Sequence, residues 1–116
     1  MPNRTRALVW KEPWVPCGAD NAADLARELA RELSPGHLLF GRTAVAIGRR
    51  EDRNDVLFHL AGDGYPYAVV HLSWSGRPEP DPRWPHTTCF SSLDDWAAGR
   101  LDPDAAEYRG EISRQS

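Results

Sequence analysis

Residues 43–74, TAVAIGRREDRNDVLFHLAGDGYPYAVVHLSW, decide the fold of this chain. Apolar residues alternate with other residues in the segments 43–49, 56–60 and 67–74, and a period of two is typical of β-strands. Between the last two segments, Gly62-Asp63-Gly64 favours a tight hairpin turn. The stretch therefore predicts an antiparallel meander of three strands.

A helix is expected before this stretch, over residues 21–34, with Asn21 as its N-cap and Ser34-Pro35-Gly36 ending it. Leucines recur every four residues and form one apolar stripe, which we expect to pack on the sheet: Leu25, Leu29 and Leu33. Charged side chains are predicted to cover the opposite, solvent-facing side: Arg27, Glu28, Arg31 and Glu32.

Shorter elements flank this core in the sequence. The predictions are an edge strand at 6–10, a loop at 11–20, a strand at 87–90, a helix capped by Ser91 or Ser92 and ended by Gly99, and a last helix at 103–108. The fold class is therefore α+β: an antiparallel β-meander of three to five strands packed against an N-terminal helix, with short C-terminal helices. We expect one domain, 1–116, with its core at about 6–108 and a flexible tail at 109–116.

Composition excludes several classes of protein. The net charge of −3 argues against a nucleic-acid partner, and no apolar run approaches the roughly 20 residues that span a bilayer. The basic start is not followed by an apolar stretch of signal-peptide length, so a cytoplasmic location is expected. Cys17 and Cys89 are then predicted to be free thiols, and no motif indicates a cofactor.

Strand register yields a prediction about two histidines. Core-facing residues must oppose each other, which favours these pairs: Leu60 with Ala68, Phe58 with Val70, Val56 with Leu72, His59 with Val69, and Ala46 with His59. His59 and His71 then become diagonal neighbours, roughly 5–7 Å apart. The bulky residues of the other face are expected against the leucine stripe: Val45, Ile47, Phe58, Val70 and Leu72.

The face with the histidines is expected to be either shallow and open or covered by another element. His59 and His71 could act as an acid–base pair, or could hold a metal ion with a further ligand from Glu79, Asp81 or Cys89. The alternative is that both imidazoles only pack against neighbours and bind water.

A proline-rich loop, residues 75–86, carries the other candidate site. Arg77, Arg83 and Trp84 lie in it, and Trp74 precedes it; Trp and Arg are enriched at binding hot spots, and prolines lower the ordering cost of binding. The partner would be another protein or a second copy of the chain, with the acidic run 94–104 as a counter-surface. The competing interpretation is that Trp84 folds inward as a core residue.

Two segments carry a resemblance: Tyr67-Ala-Val-Val-His-Leu-Ser-Trp-Ser-Gly76 and Asp81-Pro-Arg-Trp-Pro-His-Thr87. They resemble a family of small uncharacterised bacterial α+β proteins, in which a Val-His-Leu-Thr-Trp strand precedes a proline-rich loop and a short acidic helix. That resemblance implies a bacterial source and no particular chemistry. In size and acidity the chain is also similar to immunity proteins that neutralise bacterial toxins.

The function we expect is a non-enzymatic protein-binding module, immunity-protein-like in its size and acidity. The alternative is a small metal-assisted or acid–base enzyme that uses His59 and His71.

Overall fold

The computed structural model describes residues 9–115, and its fold is α+β. Five strands form one antiparallel sheet in chain order, with a helix on one face and the C-terminal helices on the other. The elements are β1 (Trp14–Pro16), α1 (Ala19–Glu32), β2 (Ala44–Arg50), β3 (Asp55–Leu60), β4 (Tyr67–His71), β5 (Thr87–Phe90), α2 (Leu93–Trp96), a π-helical segment (Ala97–Leu101) and α3 (Asp102–Gln115).

The first strand lies where the sequence predicted a loop. Residues 6–8 of the predicted edge strand lie outside the described residues, and residues 9–10 are not in a strand. Instead β1 pairs Trp14 with Arg50 and Pro16 with Gly48. Proline is tolerated here because β1 is an edge strand and needs few ladder hydrogen bonds.

Two helices have different bounds from those predicted. Gly18, not Asn21, is the N-cap of α1, and Ser92 caps α2 by accepting a hydrogen bond from the Asp95 backbone N–H. Gly99 does not end the second helical region, because the chain continues through the π-helical segment into α3. A Cβ at Gly99 would lie 3.2 Å from the Phe90 ring, so this glycine allows a close approach to β5.

The first core cluster lies between α1 and the sheet. The leucine stripe packs there, as predicted, with Phe58, Val70 and Leu72. Val45 and Ile47 were wrongly assigned to this cluster: Ala46 is buried in it, and Val45 is 53% exposed. The cause is a β-bulge between Ala46 and Gly48, which changes the face on which neighbouring side chains of β2 lie.

The second core cluster covers the face that carries the histidines. Trp14 and Trp96 are fully buried in it, with ring centroids 5.2 Å apart in an edge-to-face arrangement. They pack with Leu57, Val69, Ala97 and Leu101. Trp10 also packs on this face because Gly48 leaves room for its ring: a Cβ there would lie 2.3 Å from Trp10.

A partly buried ionic group lies beside the second cluster. Asp104 Oδ2 accepts hydrogen bonds from Trp14 Nε1 at 2.9 Å and from Arg100 Nε at 3.0 Å. Arg50, which is 2% exposed, places Nη1 3.3 Å from the same oxygen and donates twice to Asp52. Burial works to lower the pKa of Arg50, but Asp52 and Asp104 raise it more, so the guanidinium stays charged.

Leu29→Ala tests the first cluster. Leu29 is 2% exposed, so we expect its truncation to lower the free energy of unfolding by about 2–5 kcal/mol, measured by denaturant unfolding. Val45→Ala is the matched control on the same sheet, with an expected change below about 1 kcal/mol. Equal effects of the two changes would contradict the described packing.

Candidate functional site

Two glutamates of α1 are buried, although the sequence pattern predicts both on the solvent-facing side of the helix. Glu28 is 2% exposed and Glu32 is fully buried. Glu32 follows Leu25 by seven residues, nearly two full helical turns, so both point toward the sheet. We call Glu28 and Glu32 the glutamate pair.

The glutamate pair holds the chain that follows β4. Glu32 accepts hydrogen bonds from the backbone N–H groups of Ser73 at 2.9 Å and Trp74 at 2.7 Å, and Glu28 accepts from the Gly76 N–H at 3.0 Å. The Glu79 N–H donates to the Glu32 carbonyl oxygen at 3.1 Å. Four donors from one short stretch are therefore fixed on the last turns of α1.

The electrostatics of the two carboxyl groups differ. Burial, together with the hydrogen bond to Glu28, raises the pKa of Glu32 to about 7, although the N–H groups of Ser73 and Trp74 act in the opposite direction. The pKa of Glu28 is lowered, mainly by its hydrogen bond with Glu32. Arg31 Nη1 lies 3.5 Å from Glu28 Oε1 and favours the charge on that residue.

Trp74 has an unusual backbone conformation. Its φ of 60° lies in the left-handed region, where a residue with a Cβ is strained by roughly 1–2 kcal/mol. Its N–H is held by Glu32, and its side chain is 49% exposed. The backbone is therefore fixed by buried groups while half of the indole surface is open to solvent.

Two clefts meet at Asn54. The Trp74 cleft, about 130 Å³, is lined by Trp74 and by Arg49, Arg50 and Arg53. The Trp84 cleft, about 350 Å³, is lined by Trp84, His71, Ser73 and Glu79 among others. Asn54 lines both clefts, so the two tryptophans belong to one continuous surface.

The second half of the proline-rich loop is anchored to the segment that follows α1. His37, which is buried, contacts the Pro85 carbonyl oxygen through Nε2 at 3.0 Å, and Pro82 packs on Gly36. Trp84 is not a buried core residue: it is 49% exposed, with its ring centroid 6.1 Å from that of His86. The loop is therefore held firmly while its tryptophan remains accessible.

The two arginines of the loop differ in their contacts. Arg83 is 84% exposed and donates to both carboxylate oxygens of Asp81, with its Nη2 2.7 Å from Oδ2. That pairing lowers the pKa of Asp81 to about 2. Arg77 is exposed, and its side chain makes no ion pair with the side chains described, those of residues 9–110. Arg77 is therefore the loop arginine whose guanidinium is available to contact a binding partner.

The predicted juxtaposition of His59 and His71 is wrong. His59 lies opposite Tyr67, and His71 lies opposite Asp55, so the two are four residues apart along the ladder. The hairpin closes with the Leu60 N–H donating to the Pro66 carbonyl oxygen, which shifts the register by two residues. A shift of two preserves the face of every side chain but changes its neighbour.

The pairing of β2 also differs from the prediction at His59. Val45 lies opposite His59, and Ala46 lies opposite Phe58.

His71 instead forms a dyad with Asp55. Its Nδ1 lies 2.6 Å from Asp55 Oδ1, and Arg100 Nη2 donates to Asp55 Oδ2 at 2.7 Å. Burial acts to raise the pKa of Asp55, but His71 and Arg100 lower it more, so the carboxylate is ionised. The imidazole is 53% exposed and lines the Trp84 cleft. The Asp55 carboxylate therefore orients His71 and leaves Nε2 toward solvent.

Several predicted site residues are not brought together. Within the part of the chain that the structure describes, no group of three or more His, Cys, Asp or Glu residues could hold a metal ion. Cys17 and Cys89 are free thiols, and burial raises the pKa of each. None of the helices among residues 9–115 has the length and apolar character of a membrane span.

Comparisons with known proteins gave no match: no protein-family model, no curated protein and no solved structure is similar to the chain. The resemblance to small bacterial proteins therefore stays a prediction, and function is inferred from the site alone.

Glu32→Ala tests the support of the site. We expect it to lower the free energy of unfolding at pH 5 by about 1–3 kcal/mol, because the N–H groups of Ser73 and Trp74 lose their acceptor. The control is Asp24→Ala, which removes an exposed ion pair with Arg27 and should change stability by less than about 0.5 kcal/mol. Denaturant unfolding measures both, and an effect of Glu32→Ala no larger than that of the control would contradict the assigned support.

Proposed function

We propose that this protein is a protein-binding module whose contact surface contains Trp74, Trp84 and Arg77. The observation that carries the proposal is Trp74, a strained residue that presents half of its indole to solvent. Strained backbone persists only where surrounding groups enforce it, and it clusters at ligand clamps. Here the enforcing group is the buried Glu32, whose carboxylate accepts the Trp74 N–H.

The composition of the surface supports recognition of a protein. It combines two half-exposed tryptophans with Arg49 and Arg53 of the Trp74 cleft and with Arg77 on the loop; Arg50 lines the same cleft but is buried and already paired. Trp and Arg dominate the energetics of protein interfaces, and a loop that is already ordered loses little entropy on binding. Arg83 contributes less to this surface than the sequence suggested, because its guanidinium is already hydrogen-bonded to the Asp81 carboxylate.

A different protein fits this surface better than a second copy of the chain. The acidic run 94–104 was the expected counter-surface, but much of it is engaged within the chain. Asp104 accepts from Trp14 and Arg100, Asp102 pairs with Lys11, and Asp95 accepts from the Ser91 hydroxyl. The partner is expected to bring acidic side chains to Arg49, Arg53 and Arg77.

Trp74→Gly separates binding from stability. Glycine adopts positive φ without strain, so its relief offsets the lost indole contacts, and we expect the free energy of unfolding to change by less than about 1 kcal/mol. Capture of the partner should be lost. Tyr65→Ala is the matched control, because Tyr65 is 54% exposed but lies in the hairpin at the other end of β3 and β4.

Capture is measured by photo-crosslinking in native cells, with p-benzoylphenylalanine replacing Pro78, the exposed neighbour of Arg77, and, as a control, Asp63. Mass spectrometry identifies the adduct, and a product of twice the chain mass would identify a second copy. We expect an adduct from position 78 that disappears with Trp74→Gly and persists with Tyr65→Ala. An adduct that persists with both variants, or no adduct from position 78, contradicts the proposal.

A second candidate is a small acid–base enzyme centred on His71, favoured by the dyad with Asp55 beside the Trp84 cleft. A carboxylate that fixes the Nδ1–H tautomer leaves Nε2 to act as a general base. No described contact joins His71 to a nucleophile, since the Ser73 hydroxyl donates to Glu79 at 2.7 Å. Binding is therefore the leading function.

Activated esters test the second candidate. If His71 is a general base, turnover should fall at least tenfold with His71→Gln and persist with His59→Gln, the matched control on the same sheet. Absence of turnover across a panel of activated p-nitrophenyl esters, or equal turnover in both variants, would remove the enzyme candidate.

A further inference from the structure

The glutamate pair places two buried carboxyl groups side by side. The two side chains lie one helical turn apart, are 2% and 0% exposed, and bind backbone N–H groups of the same short segment. Two ionised carboxylates this close in a buried site repel each other, so the pair favours keeping one proton between the two groups. Two such groups titrate as a unit, and the second proton is lost only at the cost of placing two charges side by side.

The same atoms hold the site. The remaining acceptor positions of the pair take the N–H groups of Ser73, Trp74 and Gly76, at 2.7–3.1 Å. Among the side chains of residues 9–110, no other acceptor is bonded to these three N–H groups. The conformation of the segment 73–76 therefore depends directly on the charge of the pair.

Few charges compensate the pair. Arg31, on the same helix, lies 3.5 Å from Glu28 and is 55% exposed, so solvent screens much of its effect. Glu79 is the charged residue that packs from the loop; its carboxylate accepts from Ser73 Oγ at 2.7 Å and adds a further negative charge nearby. The described contacts therefore offset one negative charge on the pair and leave a second without a cationic partner.

We propose that the proton shared by Glu28 and Glu32 is a switch that controls the presentation of Trp74. With the proton in place, the pair carries one charge and holds the segment 73–76. When the proton leaves, two adjacent buried carboxylates repel each other. Release of the segment gives up the N–H groups that stabilise charge, but it admits water, which solvates and screens both carboxylates. The consequence for partner binding rests on the proposed function: binding is stronger on the acidic side of the transition.

The transition falls near neutral pH. Burial raises the pKa of Glu32 to about 7, above the ordinary value of 4.5. Because the folded pair keeps a proton that unfolded glutamates release, the free energy of unfolding should fall as pH rises from about 4.5 to about 7, and level off above that.

Nuclear magnetic resonance of the full chain, without a partner, tests the switch. Carboxyl ¹³C signals of the glutamates and the amide signals of residues 73, 74 and 76 are followed from pH 4 to pH 9. We expect one carboxyl of the pair and the three amides to titrate together, with a midpoint near pH 7.

Two variants sharpen the test. Glu32→Gln mimics the protonated residue, since its carbonyl accepts while its NH₂ donates to Glu28; its amides should keep their low-pH signals up to pH 9. Glu28→Gln replaces the neighbouring carboxyl group with a neutral amide, whose NH₂ can donate to the ionised Glu32. The midpoint of the Glu32 titration should therefore fall by at least one pH unit.

The switch is overturned if both carboxyls titrate near the ordinary pKa of 4.5, or if the amides stay fixed while a carboxyl titrates near pH 7. The wild-type titration and Glu28→Gln decide this even if Glu32→Gln does not fold. If the amides of the segment 73–76 do not titrate, the switch is wrong and the proposed function is unaffected. If they titrate but Trp74→Gly leaves partner capture unchanged, the proposed function is wrong and the switch is unaffected.

Discussion

The need to cover both faces of β3 organises this structure. β3 is the central strand, and its apolar side chains point both ways: Val56, Phe58 and Leu60 toward α1, and Leu57 toward the tryptophans. A strand of this kind is stable only if an apolar layer covers each face. The leucine stripe of α1 supplies one layer and the C-terminal helices supply the other, so both ends of the chain are required for one sheet.

Charged groups are concentrated where these layers meet one end of the sheet. Asp55 begins β3 and His71 ends β4, and both lie beside the ionic group of Arg50, Arg100 and Asp104. The glutamate pair lies on the opposite layer and holds the segment that follows β4. Polar groups buried in this way must be satisfied, and their hydrogen bonds give the end of the sheet a defined conformation. The candidate surface thus lies on the polar end of the molecule rather than over its apolar core.

The spacing of the apolar residues and the residue types in the turns were sufficient to predict the α+β class, three consecutive strands and the packing of Leu25, Leu29 and Leu33. In a strand without a bulge, alternation sets the face of each side chain, so the face survives a register shift of two residues, whereas the neighbour of His71 changes. The β-bulge in β2 breaks the alternation, which is why Val45 and Ile47 were placed on the wrong face. The glutamate pair could not be predicted from residue type, because charged residues are almost never buried without partners. The helical position of Glu32 beside Leu25 was the available signal. Its partners are backbone N–H groups in a loop more than 40 residues away, which no local pattern reveals.

The two sides of the second cluster are far apart in the sequence, and this separation affects the order in which the chain folds. Trp14 and Asp104 are 90 residues apart, and Lys11 and Asp102 are 91 apart. Most of the first cluster, from Leu25 to Leu72, joins residues that are closer in sequence. Because closing a longer loop costs more entropy, the first cluster can assemble on a shorter chain during synthesis, while the second must wait for Trp96, Ala97 and Leu101 of α2 and the π-helical segment. Until then one apolar face of the sheet is uncovered, so a chain truncated before Trp96 would be prone to aggregate.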